Sequence, residues 1–419
     1  MSALKKLLII VVVLVAIVAA IPLLFPYDRY KADIEQAVSA RLDIPVSISD
    51  IAFSYDPKPQ LALKQLTMGK QGEAEIAQII VPITLRNLIN LRTELTDVVL
   101  EQAQFKQDFA LSLPGRLKPN PGGRDINFAK LKLKDLTIQL TQRKIGPLSG
   151  TLQLNQDGTF KLVTLTDADE RATLTIKPEG DKFGLDFTAN NWVAPGPYPD
   201  ARFDQLILRG MADKDGILID DVQALIFGSP AVGVAQLSWV EGWKLTGSLQ
   251  TRSMQVEPLI SLASATTRST GRMAATADFE FSGDSYENLF AKRRVSVKFS
   301  VRDGNLHNFD LITPLKSQSP SVLQRGGQTR FDTLAGEYLL EDTQVSLRSL
   351  QLNSGKFSAS GGLTISPERK LGGRINTRLS SGSIVVNAPL AIAGTLDAPE
   401  LRSAGAYKPG SSENTTQIF

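Results

Sequence analysis

Beyond residue 43 apolar and polar side chains alternate with a period of two, as in Val46-Ser47-Ile48-Ser49, Leu131-Lys132-Leu133, Leu152-Gln153-Leu154, Phe183-Gly184-Leu185-Asp186-Phe187 and Val295-Ser296-Val297-Lys298-Phe299. Each such segment is a strand with one apolar face, and every apolar face must be buried against something. Asp157-Gly158, Gly180-Asp181, Asp215-Gly216 and Asp303-Gly304 supply the positive φ angles of tight hairpin turns, so the chain reads as a long run of antiparallel hairpins. Helical periodicity is confined to Tyr30–Leu42, Val256–Ala265 and Ser285–Lys292. That is too little helix to cover so much sheet. Either two sheets pack on each other as a sandwich or closed barrel, or one sheet curls around an apolar hollow.

The start of the chain is different. From Leu7 to Phe25 there are 19 consecutive residues without a charged or polar side chain, which as a helix would be about 29 Å long, enough to span a bilayer core. Lys5 and Lys6 precede the run and Tyr27 and Tyr30 follow it, predicting a cytoplasmic N-terminus and a body on the far side. The alternative is a cleavable signal peptide with Val18-Ala19-Ala20 at its cleavage site. Because the apolar run continues through Ile21-Pro22-Leu23-Leu24-Phe25, an uncleaved anchor is the better reading. The next apolar stretch, Ile76 to Ile83, is too short and interrupted to be a second span.

Composition narrows the chemistry. The 419 residues include no cysteine and a single histidine, so thiol nucleophiles, disulfides and Cys-based zinc sites are excluded and His-based catalysis has almost no material. A chain without cysteine suits an oxidising compartment such as the bacterial periplasm. With 46 basic and 43 acidic residues the net charge is +3, which is not the clustered excess of a nucleic-acid binder. Local motifs fall away on inspection. Gly355-Lys356 lacks the first glycine and the Ser/Thr of a P-loop. Asp167, Asp169 and Glu170, like Asp213 and Asp215, lack the ligand ladder of a calcium loop. His307, with Asp303 and Asp310 nearby, has no nucleophile elbow to serve. Lys292-Arg293-Arg294 could meet anionic head groups, but a basic run at the end of a short helix is more often a solvated cap that complements the helix dipole. The terminal Phe419 lacks the alternating strand of an outer-membrane barrel before it. No enzyme and no cofactor is predicted.

Pro/Gly-rich loops at Leu113–Gly123 and Asn190–Asp200 break the strand pattern, and Gly410–Thr416 reads as a polar, disordered tail. A weak internal echo relates the stretch from Asp220-Asp221 to Gly247 with that from Glu341-Asp342 to Gly373. The predicted organisation is a stub and anchor over 1–26, an N-terminal helix and β region over 27–120, a central β region over 121–270, a C-terminal β region over 271–405 and a tail over 406–419.

These features resemble the AsmA family of envelope proteins. At the N-terminal end the resemblance lies in the anchor, the short helix, and the strand pair Pro45-Val46-Ser47-Ile48-Ser49-Asp50-Ile51 and Pro59-Gln60-Leu61-Ala62-Leu63-Lys64-Gln65-Leu66. At the C-terminal end it lies in Val301-Arg302-Asp303-Gly304, Phe309-Asp310-Leu311, Phe331-Asp332-Thr333-Leu334-Ala335-Gly336, the strands around Leu350-Gln351-Leu352 and Ala359-Ser360-Gly361, and Gly394-Thr395-Leu396-Asp397-Ala398-Pro399. The resemblance covers about half the chain, and between residues 70 and 270 it extends to texture only. It implies a single-pass protein of the bacterial inner membrane whose periplasmic β body serves outer-membrane biogenesis and, in the larger members, moves phospholipids along a hydrophobic groove. The expected fold is therefore all-β dominated: an N-terminal transmembrane helix, then a long, mostly antiparallel, curled, groove-like sheet with a few short helices. An acyl chain exposes apolar surface worth about 0.8 kcal/mol per methylene, so an apolar trough would carry it without any catalytic residue. The alternating apolar positions are the candidates for the groove: Val46, Ile48, Leu61, Leu63, Leu131, Leu133, Phe183, Leu185, Phe187, Phe279, Phe281, Val295, Val297, Phe299, Leu363 and Ile365. The expected partners are membrane phospholipids and other envelope proteins, with no nucleic acid. The alternative function is a non-enzymatic scaffold or assembly factor for envelope proteins, its sheet closed on itself.

Overall fold

The structure is a computed structural model that describes residues 26–56, 58–84, 87, 95–117, 130–140, 144–193, 202–316, 322–381 and 384–403. The apolar run at 7–25 and the polar tail at 410–416 lie outside the described residues, and among those described no helix is long and apolar enough to cross a membrane. Strand dominates, and helices are few and short. The chain divides into two compact units, Met1–Thr188 and Ala189–Phe419.

The first unit opens with a 3-10 turn (Tyr27–Tyr30) and helix α1 (Lys31–Leu42), followed by β1 (Val46–Ser54), β2 (Gln60–Met68), β3 (Ala74–Pro82) and β4 (Val98–Lys106). Helix α2 (Gln107–Arg116) comes next, then β5 (Lys130–Gln139), β6 (Lys144–Leu154), β7 (Phe160–Asp167) and β8 (Ala172–Glu179). Strands from β1 to β8 pair in sequence order, all antiparallel except β4 with β5, which run parallel. A parallel pair requires a crossover, and α2 lies on it. The sequence pattern of hairpins alone does not show this crossover, and Pro114-Gly115, read there as loop, lies inside α2. Packing holds the helix across its proline: Phe109 is buried against the ring of Phe105, 5.2 Å away and edge-on, and Arg116 donates to the carbonyls of Leu42 and Asp43.

One face of β1–β5 forms the core of this unit. Ile48, Leu66 and Ile76 are sealed from solvent beneath residues of α1 and α2, each contributing about 1.5–3 kcal/mol by burial. Helix α1 has a second task. Among the described residues strand β1 pairs only with β2, which leaves an open backbone edge. The N–H of Ile48 donates to Glu35 Oε1 at 2.7 Å and that of Val46 to Ser39 Oγ at 2.8 Å, so side chains of α1 occupy the groups that a further strand would use.

Strand β9 (Lys182–Val193) contains the division between the units. The second unit holds β10 (Arg202–Ala212), β11 (Gly216–Ile226), β12 (Ser229–Ser238), β13 (Trp243–Gln255), helix α3 (Val256–Ala263), and the two longest strands, β14 (Arg268–Gly283) and β15 (Lys292–His307). Helix α4 (Thr313–Lys316), β16 (Val322–Arg325), β17 (Gln328–Glu341), β18 (Gln344–Ser354), β19 (Phe357–Ile365), β20 (Leu371–Ser381), β21 (Ile384–Gly394) and β22 (Pro399–Ser403) complete it. Consecutive strands pair antiparallel throughout, with one exception: β15 pairs with β17, and β16 pairs with β22 instead. The ladder from β10 to β22 does not close on itself, and neither does that from β1 to β8. The core lies toward β15–β22, where Phe331, Leu390 and Leu401 pack with Val256 of α3 and Leu315 of α4.

Three sequence expectations differ from the structure. Residues 285–291 form a series of turns whose N–H groups bond three residues back (Asn288 to Ser285, Leu289 to Tyr286, Ala291 to Asn288), and Lys292 already belongs to β15. Asp303-Gly304 is interior to β15 rather than a hairpin. Asp303 has φ +53°, and Gly304 lies beneath a ring: a Cβ there would stand 2.2 Å from Phe331 Cζ. The same residue types serve a bend within a long strand as readily as its end. The echo does not correspond to equivalent places either, since Asp220-Asp221 sits at a register shift inside β11 and Glu341-Asp342 at the turn after β17.

The C-terminal end of α3 is clamped to the turn between β21 and β22. Ser264 Oγ donates to Asp397 Oδ1 at 2.7 Å, Thr266 Oγ1 and Thr267 Oγ1 donate to the carbonyls of Asp397 and Leu396, and Arg369 bridges the Ala263 carbonyl and the Asp397 carboxylate. The Ser264 hydrogen bond, followed by the Arg369 charge, holds the Asp397 carboxyl below its ordinary range. A depressed carboxylate contributes above its unfolded pKa and loses that contribution as pH falls through the folded one. Amide exchange across 256–267, corrected for intrinsic rates, should therefore accelerate below the ordinary aspartate range, and Asp397→Asn should remove that pH dependence. At the other unit, Glu35→Ala is expected to cost about 1–3 kcal/mol by orphaning the buried Ile48 N–H, and to cause concentration-dependent association in sedimentation velocity as the β1 edge opens.

Candidate functional site

The apolar faces of the strands are sealed at some places and open at others. In the second unit, register carries one apolar row across the whole ladder. Leu208, Val222, Gly233, Leu249, Ala277 and Val297 are successive partners from β10 to β15. The row continues through Tyr338, Leu347, Leu363, Gly373, Ile392 and Leu401 to β22. At about 4.8 Å per strand it runs for roughly 50 Å. A parallel row, Gly210, Ile219, Ala235, Gly247, Phe279 and Val295, lies beside it. The opposite face carries Gln250, Thr276, Lys298, Glu337 and Arg348 in the same pairings.

Helix cover is uneven along this face. Helix α3 packs on β14, and α4 on β16, β21 and β22. Leu390, Ile392 and Leu401 are consequently buried, whereas Leu208, Ile219, Leu249, Phe279, Val295 and Val297 keep part of their surface exposed. The phenyl ring of Phe279 lies over Gly247, where a Cβ would be 2.4 Å from Cζ, and stacks on Phe281 at 5.6 Å. At one end of the same strands the turns are joined by aromatic contacts, Trp239 with Trp243 and Trp243 with Tyr286, both at 5.4 Å, and Phe281 with Phe290 at 5.0 Å. Trp239 Nε1 donates to the Lys214 carbonyl. Period-two alternation marks only Phe281 of this cluster, because Trp239, Tyr286 and Phe290 lie outside the strands and Trp243 stands at the start of one; the Trp239–Trp243 spacing across a turn is a further sequence signal for it.

The groove candidates divide accordingly. Val46, Ile48 and Leu133 are buried in the helix-covered core of the first unit, and Leu63 packs against it. Leu61, paired with Phe53 and Val81, and Leu131, paired with Val98 and Leu152, are half-buried outside that cluster. Phe183, Leu185 and Phe187 line up on β9, half-buried, with the Phe183 ring 5.9 Å from Phe160. In the second unit Phe299, Leu363 and Ile365 pack against the core, and Phe279, Phe281, Val295 and Val297 lie beyond it.

Charged motifs prove to be local fittings. Lys292, Arg293 and Arg294 open a strand and face Glu280, Glu341 and Asp342 across a shallow depression, so their charge is offset on site. Asp167 Oδ1 accepts the N–H groups of Arg171 and Ala172, and Asp213 Oδ1 those of Asp215 and Gly216, which makes both acidic clusters turn caps. Among the described residues no group of three or more Asp, Glu or His is placed to hold a metal ion. His307 Nε2 lies 3.4 Å from Asn305 Nδ2. The segments behind the family resemblance also acquire structural roles: Asp310 caps α4 through the N–H groups of Ile312 and Thr313, buried Thr329 links the Phe309 carbonyl to the Leu311 N–H, and Asp332 accepts the Gly355 N–H.

No family model, curated protein or solved structure matches the chain. The functional reading therefore rests on the geometry of these faces.

Sealed and open positions should respond differently to a charge. Ile48→Asp is expected to lose about 4 kcal/mol or more, whereas Leu185→Asp and Val297→Asp, whose side chains reach solvent, should lose about 1–2 kcal/mol. Urea unfolding of the three variants checks this, and equal losses would show that both regions are closed cores.

Proposed function

We propose that the chain is an envelope protein of the AsmA type, anchored in the bacterial inner membrane by residues 7–25, whose periplasmic sheet curls into a groove that holds or conducts phospholipid acyl chains for outer-membrane biogenesis. The observation that carries this reading is the apolar register row from β10 to β22, half-exposed over β10–β15 except at buried Val222 and sealed by helices toward β22. Half-exposed apolar surface maintained over successive strands costs about 25 cal/mol per Å² in water, a cost relieved when acyl chains cover it. The opposite face is polar from β13 to β18, and over β11 and β12 it exposes Leu218, Val232 and Val234. Within this reading Phe279, Phe281, Val295 and Val297, with Phe183, Leu185 and Phe187 in the first unit, are the positions that touch lipid. Val46, Ile48 and Leu133 serve the core. The N-terminal resemblance and the uninterrupted apolar run support the anchor, and no catalytic residue is needed.

A photoreactive phenylalanine analogue introduced at 279 or 297 in the full chain, irradiated in cells, tests the proposal. Mass spectrometry should find phospholipid adducts at both positions and none at 276 or 298 on the opposite face. Adducts to proteins alone at 279 and 297 would favour the scaffold reading instead.

A further inference from the structure

The face of β18–β21 turned away from the core holds a concavity of about 530 Å³, lined by amide, hydroxyl and guanidinium side chains together with Ala359, Ala388 and Pro389. Two register rows cross it. Asn353, Ser358, Arg378 and Asn387 are successive partners, and so are Gln351, Ser360 and Asn376 in the row beside them. The alternate residues, Leu352, Ala359, Ile375 and Ala388, belong to the core, which fixes the direction of both rows. Apart from Asn353, which donates to Thr333 Oγ1 at 3.4 Å, these amides and the guanidinium of Arg378 make no side-chain hydrogen bond or ion pair among the described residues. Thr333 in turn pairs with Arg302, and Arg302 stands directly opposite Arg272 on β14. Like charges opposed across a ladder are unfavourable unless an anion lies between or beside them.

From these features we propose that this face binds an acidic saccharide chain. Primary amides and hydroxyls each offer donors and acceptors at short spacing, the complement of a sugar's hydroxyl groups. The planar fork of Arg378 matches a carboxylate in two parallel hydrogen bonds, and Arg302 and Arg272 continue the positive charge along the row. From Arg272 to Asn387 the row spans about 29 Å at 4.8 Å per strand, a length suited to an oligomer lying across the strands. The concavity's volume is within the range of ligand pockets, about 300–1,000 Å³. From β18 to β21 the one apolar side chain on these rows is Pro389, the partner of Asn376, which is too little apolar surface to hold an acyl chain or a membrane. This site is on the opposite side of the strands from the acyl-binding face and does not depend on it.

Titration calorimetry of the full chain in detergent micelles, with a hexamer of galacturonic acid as ligand and maltohexaose as its neutral counterpart, tests the inference. The acidic hexamer should bind one per chain, at least tenfold more tightly than maltohexaose. Arg378→Gln should weaken it tenfold or more, and Asn376→Ala with Asn387→Ala about fivefold. Arg378→Lys, which keeps the charge and loses the fork, should fall between, while Arg294→Gln in the offset basic run should change nothing. All these side chains face solvent, so melting temperatures should stay at the wild-type value. The inference is overturned by absence of binding, by equal losses from Arg294→Gln and Arg378→Gln, by inorganic phosphate competing as well as the hexamer, or by phosphatidylglycerol vesicles occupying the site in its place.

Discussion

A strand with one apolar face is stable only where something covers that face, and the distribution of covering helices organises this molecule. Helices α1 and α2 close the face of β1–β5 around Ile48, Leu66 and Ile76. Helices α3 and α4 close the other unit around Phe331, Leu390 and Leu401. These interiors are packed to the exclusion of solvent and supply the hydrophobic stabilisation that a fold of this kind requires. The strands between Arg202 and Val297 have the same alternation and lack equivalent cover, so their apolar rows remain half-open. Cover, and not composition, separates core from candidate site.

An open apolar face is a hazard only if the backbone beside it can recruit another chain. Interior strands of both ladders have partners on either side, which leaves the hazard at the edges. At β1 the edge is met by Glu35 and Ser39 of α1, which take up the N–H groups of Ile48 and Val46. At the other end of the second unit, β16 is a strand of four residues held by β22, too short to template a long pairing. Edge control and the open face are thus linked: a sheet left apolar on one side has to be finished at its margins.

The strand content and the turns at Asp157-Gly158 and Gly180-Asp181 were legible in the sequence, because period two and positive-φ residues act locally. Helices α1 and α3 were legible for the same reason. What was hidden depended on distant partners. Helix α2 survives Pro114 because Phe109 finds Phe105 and Arg116 finds the end of α1. The Asp303-Gly304 bend lies inside a strand because Phe331 comes to rest over Gly304. Alternation likewise marked Ile48 and Val297 as equivalent, since it reports which side of a strand is apolar and carries nothing about what lies against it. The polar rows on β18–β21 are not legible for a related cause: residues such as Asn353 and Arg378 read singly as solvated surface, and only register sets them side by side.

That register is the common support of both faces. Shifting one strand by a single residue would exchange its apolar and polar sides, so the row through Leu249 and Val297 and the row through Ser358 and Arg378 stand or fall with the same hydrogen bonds. Irregularities pin the pairing where the ladder could otherwise slide: shifts at Ile219/Val222, Thr251/Met254, Thr270/Arg272 and Leu347/Leu350 each place an extra residue at a fixed point. A slip past any of them would set a bulge against regular strand and lose hydrogen bonds on both sides. The bulges therefore act at a distance from either face, by making one alignment of the strands better than its neighbours, and two chemically opposite surfaces follow from a single choice of register.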